Sequence, residues 1–299
     1  MDWMQTNNVQ AVSWANRTTP TSVRTFAIHG VPVEHMVLLC NTVGADMWVN
    51  MPHLASDDYV REFARLVRDT LRPDLAVHVE LSNEVWGSLF SGGQYARVEG
   101  LRLQLDLLSG FGIRGDDEAA FCWYATRARD MFAIWEEEWG AERRQRLVFV
   151  LASQSVNADV TRRILGCANG TAAVKADALA IAPYFDAPLT NESDPRYPLW
   201  NLDQFVNTTL FVAVERAHNF SVRHLPYTRP YNLTLVTYEA GQSLLANPRR
   251  GNEAAQIDFF IRANRHPGMR AVYAAYVRAL LRANVSLGMQ FSSFGLPSR

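Results

Sequence analysis

Two glutamates that follow strand-like segments are the residues of this chain best suited to catalysis. Glu84 comes directly after Asn83, just beyond the apolar-alternating segment 77–81. Glu239 occupies the same kind of position beyond the segment 233–237. Cleavage of a glycosidic bond uses two carboxyl groups: one donates and accepts a proton, and the other attacks the sugar carbon or activates water. The two glutamates therefore predict a glycosidase.

Short apolar segments that alternate with amphipathic ones must position these glutamates. Segments rich in Val, Leu and Ile, as buried parallel strands are, lie at 36–40, 77–81, 147–151, 178–182 and 233–237. Capping or acidic residues followed by apolar residues at helical spacing predict helices that start near Ser56 and Asp116. Three more helices are predicted at 202–218, 253–264 and 269–284. This alternation predicts an α/β protein with a parallel sheet.

The number of strand-like segments fits a (β/α)8 TIM barrel in which Glu84 ends strand four and Glu239 ends strand seven. In this count 36–41 is strand three and 288–292 is a weak strand eight. Strands four and seven lie across the mouth of such a barrel, and its catalytic groups sit at the carboxyl-terminal strand ends. An open doubly wound sheet lacks support, because the sequence has no Gly-x-Gly-x-x-Gly turn and no phosphate-binding loop.

The segments 81–86 (LSNEVW) and 237–241 (TYEAG) resemble the clan A glycoside hydrolases, retaining enzymes built on the (β/α)8 barrel. Their shared pattern is an Asn-Glu pair that closes strand four and a second Glu that closes strand seven. By this resemblance Glu84 is the acid/base and Glu239 is the nucleophile. The same resemblance implies that Asn83 hydrogen-bonds the sugar hydroxyl next to the reacting carbon.

The amino-terminal part of the chain departs from that family. The resemblance covers about 36–291, and strand one, part of strand two and the arginine that the clan often carries there are not visible. Little sequence follows 291 to form an eighth helix. The expected architecture is therefore a single catalytic domain over 1–299 that forms an incomplete TIM barrel.

Two tyrosines and one further acid stand close to the predicted catalytic residues. Tyr238 precedes Glu239, and Tyr184 follows the segment 178–182; either hydroxyl could donate a hydrogen bond that keeps one carboxylate ionised, or could be satisfied in the core. Glu80 lies within its strand and is either a buried acid that supports the site or a rival catalytic group.

Further candidates for sugar binding fall in predicted loops. The loop 41–53 carries Trp48, Asn50 and His53, which could form a subsite with the indole as platform and the other two as hydroxyl partners. The alternative is a structured loop that packs over the barrel rim. Trp86 is a second aromatic candidate, two residues past the predicted acid/base.

Composition narrows the classes of partner and chemistry. The chain has 299 residues, 48% hydrophobic content and a formal net charge of -1, with no long basic run, so a nucleic-acid partner is not expected. No apolar run reaches the length of a membrane span. The sequence lacks His-x-His, His-Glu-x-x-His and Gly-x-Ser-x-Gly motifs, so neither a metal site, nor another cofactor, nor a serine hydrolase is predicted. The remaining alternative is an inactive carbohydrate-binding or structural protein on a degenerate barrel.

Seven Asn-x-Ser/Thr sequons point to the secretory route, since chance would give roughly two at this composition. They begin at Asn16, Asn169, Asn191, Asn207, Asn219, Asn232 and Asn284. No signal peptide follows Met1, so the expectation is a secreted glycoprotein whose leader precedes this sequence. The three cysteines form no evenly paired framework, and Cys40 is predicted to be a buried free thiol.

Overall fold

The computed structural model describes residues 2–8, 11–22, 29–186, 201–246 and 253–291. Within these ranges six strands form a parallel sheet in the order β1-β2-β3-β4-β5-β6. The strands are β1 (Met47–Met51), β2 (Val77–Leu81), β3 (Leu147–Ala152), β4 (Ala178–Ile181), β5 (Thr234–Thr237) and β6 (Val285–Gly288). The predicted α/β class is confirmed, and over the described residues the barrel is incomplete, with six strands where a (β/α)8 barrel has eight.

Helices separate the strands. The longer ones are α1 (Val33–Val43), α2 (Asp57–Thr70), α3 (Ser91–Arg102), α4 (Asp116–Trp139), α5 (Ala158–Gly166), α6 (Thr171–Lys175), α7 (Leu210–Val222), α8 (Glu253–Arg265) and α9 (Met269–Arg282). At the start of α2 the Ser56 hydroxyl accepts a hydrogen bond from the Tyr59 N–H at 3.1 Å, which is the predicted cap. No helix in the described ranges is both long enough and apolar enough to cross a membrane.

The predicted third strand at 36–40 is wrong, because these residues belong to α1. Val33, Met36 and Val37 are buried while Leu38 is exposed, which is helical spacing rather than the burial of a sheet strand. A short apolar run fits a buried strand and a buried helix equally well, and periodicity alone does not separate them. The third strand of the barrel count is β1 instead, in the middle of the predicted loop 41–53.

The last strand is also displaced from its predicted position. β6 covers Val285–Gly288 rather than 288–292, and its first residue follows α9 after only two residues. The predicted helix 202–218 begins with a helical turn and a π-helical segment, Phe205–Thr209, before the regular helix α7. Both corrections move element ends and leave the order of strands and helices unchanged.

The chain divides into two compact units, and the division passes through β4 and β5. The first unit contains Met1–Ala180 and Pro226–Thr234, and the second contains Ile181–Leu225 and Leu235–Arg299. In the first unit the Thr234 N–H donates to the Asp177 carbonyl at 3.0 Å. In the second the Tyr238 N–H donates to the Ile181 carbonyl at 3.2 Å. A single catalytic domain over 1–299 stays a prediction.

The core of the first unit lies between its strands and the long helix α4. Phe132 of α4 stacks on Phe149 of β3 with ring centroids 4.5 Å apart, and both rings are buried. Burial of one such side chain stabilises the fold by about 1.5–3 kcal/mol. A disulfide joins Cys122 of α4 to Cys167, the residue after α5. The free cysteine of the described residues is Cys40, which lies half-buried on α1 rather than in a strand.

In the second unit a buried tyrosine of α9 ties together the segments that follow β4 and β5. The Tyr276 hydroxyl donates to the Pro183 carbonyl at 2.8 Å and accepts from the Gly241 N–H at 3.2 Å. Its ring packs on Phe185 with centroids 4.9 Å apart. Since these segments carry Tyr184 and Glu239, the core of this unit fixes the backbone on which both side chains stand.

Candidate active site

The pairing of β1 with β2 places a polar cluster in the first unit. The register sets Trp48 opposite His78 and Asn50 opposite Glu80. Residues two apart in a strand project to the same face, so these four side chains share one face of the strand pair. Oε2 of Glu80 accepts hydrogen bonds from Nε1 of Trp48 at 2.9 Å and from Nδ2 of Asn50 at 3.1 Å.

The Glu80 carboxyl is an uncharged group at neutral pH. Its residue is only 1% exposed, and burial raises the pKa of the carboxyl to about 8. The hydrogen bonds from Trp48 and Asn50 lower the pKa, but the loss of solvation outweighs them. Glu80 is therefore an acid held in its protonated form inside the protein, four residues before Glu84.

The backbone between β2 and α3 is strained at two residues. Ser82 and Glu84 have φ angles of 54° and 51°, in the left-handed region that side chains other than glycine rarely adopt. Each such residue costs on the order of 1–3 kcal/mol and persists only where neighbours hold it. The Ser82 N–H donates to the Met51 carbonyl at 2.7 Å, and its hydroxyl donates to the Thr6 carbonyl at 3.1 Å. Backbone strain of this kind is concentrated at functional sites.

Five buried polar atoms around this segment have no hydrogen-bond partner among the described residues. They are Oδ1 of Asn50, Nδ1 of His53, Oε1 of Glu80, Oδ1 of Asn83 and Nε1 of Trp86. An unpaired buried polar atom costs about 1–3 kcal/mol. A hydroxyl group can pair with either kind of atom, because it both donates and accepts a hydrogen bond. All five residues were singled out from the sequence, and here they lie on or beside one strained strand end.

His53 and the start of α3 pack closely on the strained segment. Burial lowers the pKa of His53, so its imidazole is neutral at pH 7. A Cβ added to Gly92 would lie 3.2 Å from Oγ of Ser82 and 3.5 Å from Nδ1 of His53. The Ser91 hydroxyl donates to the Asn7 carbonyl at 2.8 Å, which brings the segment 2–8 to the same place.

Trp48 and Trp86 differ in their surroundings. Trp48 is only 4% exposed, and its ring stacks on His78 with centroids 5.1 Å apart and planes 6° apart. It lies in β1 rather than in a loop, and its indole supports the Glu80 carboxyl. Trp86 is half-buried.

The second unit carries the other predicted catalytic residue. Glu239 lies two residues after β5 and is half-buried. Its Oε2 accepts a hydrogen bond from the Tyr184 hydroxyl at 2.6 Å, a short contact typical of a phenol paired with a carboxylate. This bond holds the carboxylate in one orientation. Tyr238, the other tyrosine named from the sequence, is 1% exposed and packs in the core.

The second unit also contains a turn glycine after Glu239 and an ion pair after β4. Gly241 has a φ of 114°, and a Cβ there would lie 2.2 Å from Nε2 of Gln290, so the turn after Glu239 requires glycine. Asp186 pairs with Arg216 of α7. Burial raises the pKa of the Asp186 carboxyl, although the neighbouring guanidinium opposes the rise. Arg216, Ser82 and Thr6 lie in no motif, so the sequence gives no signal for them.

A solved protein of low sequence identity shares the fold. The structure is similar to a solved GH51 arabinofuranosidase from Xanthomonas axonopodis pv. citri, with a TM-score of 0.54 and 12% sequence identity over 98% of this chain and 55% of that chain. A Cellulomonas fimi endo-beta-1,4-mannanase double mutant also matches, with a TM-score of 0.32 and 11% identity over 80% of this chain and 53% of that chain.

At 12% identity the likeness to the arabinofuranosidase is one of architecture. This chain spans about half the length of either protein. It matches no protein-family model and no curated protein.

Proposed function

We propose that this chain is a retaining glycoside hydrolase that cleaves O-glycosidic bonds in an oligosaccharide or polysaccharide. The observation that carries the proposal is the Asn83-Glu84 segment, strained at Glu84, which stands at a strand end among buried polar atoms that have no hydrogen-bond partner among the described residues. The six-stranded parallel sheet and the fold likeness to an arabinofuranosidase support it. Glu239, beyond the end of β5, supplies the second carboxyl that the chemistry requires.

In the proposed mechanism Glu239 is the nucleophile and Glu84 is the acid/base. Glu239 attacks the anomeric carbon while Glu84 gives its proton to the departing glycosidic oxygen, which leaves a glycosyl ester on Glu239. Glu84 then takes a proton from water, the water attacks the same carbon, and the ester bond breaks with net retention of configuration. Direct attack requires the two carboxyl groups to approach within about 5–5.5 Å in the working enzyme.

The remaining residues bind and orient in this proposal. Tyr184 holds the Glu239 carboxylate in place for attack. Hydrogen-bonding atoms for sugar hydroxyl groups come from Asn83, Asn50 and His53, which are close in sequence or in strand register. Trp86 offers an N–H donor. The partner is thus a carbohydrate, and the mechanism needs no metal or organic cofactor.

We further infer that the chain works in the secretory pathway or outside the cell. The excess of sequons supports this location. The Cys122–Cys167 disulfide supports it as well, because such bonds persist in oxidising compartments and are rare in the cytosol.

The proposal is tested by hydrolysis of a panel of 4-nitrophenyl glycosides that includes the α-L-arabinofuranoside. We expect release of nitrophenol, a product of retained configuration by NMR, and complete loss of turnover in Glu239→Gln. Glu215→Gln is the matched control, because Glu215 is an exposed glutamate of α7 in the same unit. Binding of the panel by calorimetry without any turnover would overturn the proposal and favour the non-catalytic carbohydrate-binding alternative.

A further inference from the structure

The sequon asparagines within the described residues lie at the surface. Six of the seven fall in the described ranges and all six are exposed: Asn16, Asn169, Asn207, Asn219, Asn232 and Asn284. Asn191 lies outside the described residues. Exposure is not a general property of asparagine in this chain, since Asn50 and Asn83 are buried.

Three of the six also expose the hydroxyl residue of their sequon. In the sequons of Asn169, Asn232 and Asn284, the third residues are Thr171, Thr234 and Ser286, and all three are exposed. In the sequon of Asn219, by contrast, Ser221 is fully buried. The sequons of Asn169, Asn232 and Asn284 therefore expose both the asparagine and the hydroxyl residue in the folded chain.

The same three asparagines stand in turns with left-handed backbone. Their φ angles are 56° at Asn169, 56° at Asn232 and 59° at Asn284. Asparagine tolerates this conformation better than most residues, because its short polar side chain can hydrogen-bond locally. Such a turn interrupts regular structure at the surface, and an attached oligosaccharide displaces no packed side chain there.

All three turns lie at the amino-terminal ends of strands. Asn284 directly precedes β6, and Asn232 precedes β5 by one intervening residue. The turn of Asn169 is close to that of Asn232, because a Cβ added to Gly170 would lie 2.7 Å from the Tyr231 hydroxyl. Within each unit the strands are parallel, so their amino-terminal ends lie opposite their carboxyl-terminal ends.

We propose that Asn169, Asn232 and Asn284 carry N-linked oligosaccharides. The donor class is an oligosaccharide on a polyprenyl diphosphate. The bond between its anomeric carbon and the phosphate oxygen breaks, and a bond from that carbon to Nδ2 of the asparagine forms. The amide nitrogen loses one proton and the polyprenyl diphosphate leaves, so no oxidant or reductant is required. The inference is independent of the proposed hydrolysis.

The placement keeps these oligosaccharides away from the predicted catalytic residues within each unit. In the second unit Val285 pairs with Leu235, so Asn284 and Glu239 lie about five strand positions apart along the β5–β6 pair. At about 3.3 Å per residue this is on the order of 15 Å. In the first unit Glu84 follows the carboxyl-terminal end of β2, whereas Asn169 and Asn232 stand at the amino-terminal edge.

The test is the full chain, expressed with a secretory leader in eukaryotic cells and treated with peptide:N-glycosidase in heavy-oxygen water. This enzyme converts each modified asparagine to an aspartate that carries the heavy oxygen. We expect the label at Asn169, Asn232 and Asn284. Absence of the label from these three peptides in the secreted chain would overturn the proposal, whatever the state of the other sequons.

Variants assign the three sites one by one. Each of Asn169→Gln, Asn232→Gln and Asn284→Gln should remove one oligosaccharide from the intact mass. Asn264→Gln is the matched control, since Asn264 is exposed but outside any sequon. Where a glutamine variant is not secreted, Thr171→Ala, Thr234→Ala or Ser286→Ala removes the hydroxyl and keeps the asparagine. An unchanged mass in both variants of a site would remove that site from the proposal.

Discussion

The carboxyl of Glu80 and the indole of Trp48 lie on neighbouring strands and are joined by a 2.9 Å hydrogen bond inside the protein. The bond belongs to a network in which Nδ2 of Asn50 also donates to the Ser82 carbonyl at 2.7 Å. A buried acid therefore ties β1 to the strained end of β2, where Asn83 and Glu84 stand. The first prediction concerns the protonation of this acid.

Glu80 should make the protein less stable as the pH rises. Its folded pKa of about 8 lies above the ordinary value of 4.5, so the folded state keeps a proton that the unfolded state releases between these pH values. Its stabilising contribution is fully present below pH 4.5 and is lost progressively up to about pH 8. Over that window we expect the free energy of unfolding to fall by about 1 kcal/mol per pH unit.

Chemical denaturation at a series of pH values measures how the free energy of unfolding changes with pH. Glu80→Gln removes the titration but keeps the shape and an acceptor for the Trp48 N–H, so the slope should flatten. Glu80→Ala leaves the Trp48 N–H and one of the two Asn50 side-chain N–H groups without an acceptor and should cost about 2–5 kcal/mol at pH 5. An identical pH dependence in the parent and in Glu80→Gln would show that this carboxyl is not protonated in the folded protein.

The hydroxyl of Tyr184 should contribute to turnover rather than to substrate binding. Tyr184→Phe removes the 2.6 Å hydrogen bond to Glu239 and leaves the ring in place. A hydrogen bond to a charged group is worth about 1.5–3 kcal/mol, so kcat should fall about ten- to a hundredfold while KM changes little. Tyr227→Phe, in the segment after α7, is the control. A rise in KM at constant kcat would instead make Tyr184 a sugar-binding residue.

Sequence periodicity correctly predicted some of the strands and helices but not others. β2 was predicted with its observed ends, and α2 was predicted with its Ser56 cap, because burial period and cap chemistry are local. The segment 36–40 was assigned to a strand because its helical burial appears only once α1 packs on β1. The apolar segment at β1 was hidden by its Trp and Asn, whose side-chain N–H groups donate to Glu80 on the next strand.

The candidate site likewise contains residues that the sequence predicted and residues that it did not. Asn83, Glu84 and Glu239 were found from residue types at strand ends, a signal that a single sequence carries. The left-handed conformation of Ser82 has no local signal, since it depends on Met51 and on the Thr6 carbonyl 76 residues away. Contacts of this kind follow from strand register and chain crossing, which cannot be read from a single sequence.

The Cys122–Cys167 bond should be a main contributor to stability in the first unit. It closes a loop with a sequence separation of 45 residues and joins α4 to the end of α5. The double variant Cys122→Ser/Cys167→Ser should lose about 2–4 kcal/mol of unfolding free energy in denaturant titrations. Cys40→Ser changes a half-buried free thiol and should cost much less. Equal losses in the two variants would contradict the prediction.

Removal of the Glu84 carboxyl tests its role as acid/base. Glu84→Ala should hydrolyse poor leaving groups far more slowly, whereas activated aryl glycosides depart without protonation and should lose less. Azide fits the space left by the carboxylate and should restore the rate, with a glycosyl azide of retained configuration as the product. Recovery of an inverted azide would mean that Glu84 is the nucleophile and Glu239 the acid/base.

An oligosaccharide placed beside Glu84 should block the site, in contrast to those at the amino-terminal strand ends. Ser88 and Leu89 are exposed, and the double variant S88N/F90T creates a sequon four residues past Glu84. We expect its glycosylated form to lose hydrolysis of polysaccharides before it loses hydrolysis of small glycosides. Enzymatic removal of the oligosaccharide should restore that hydrolysis. S88N alone creates no sequon and is the control for the substitution itself. Deglycosylation of the parent should leave hydrolysis unchanged; a comparable gain in the parent would show that its own oligosaccharides also cover the site.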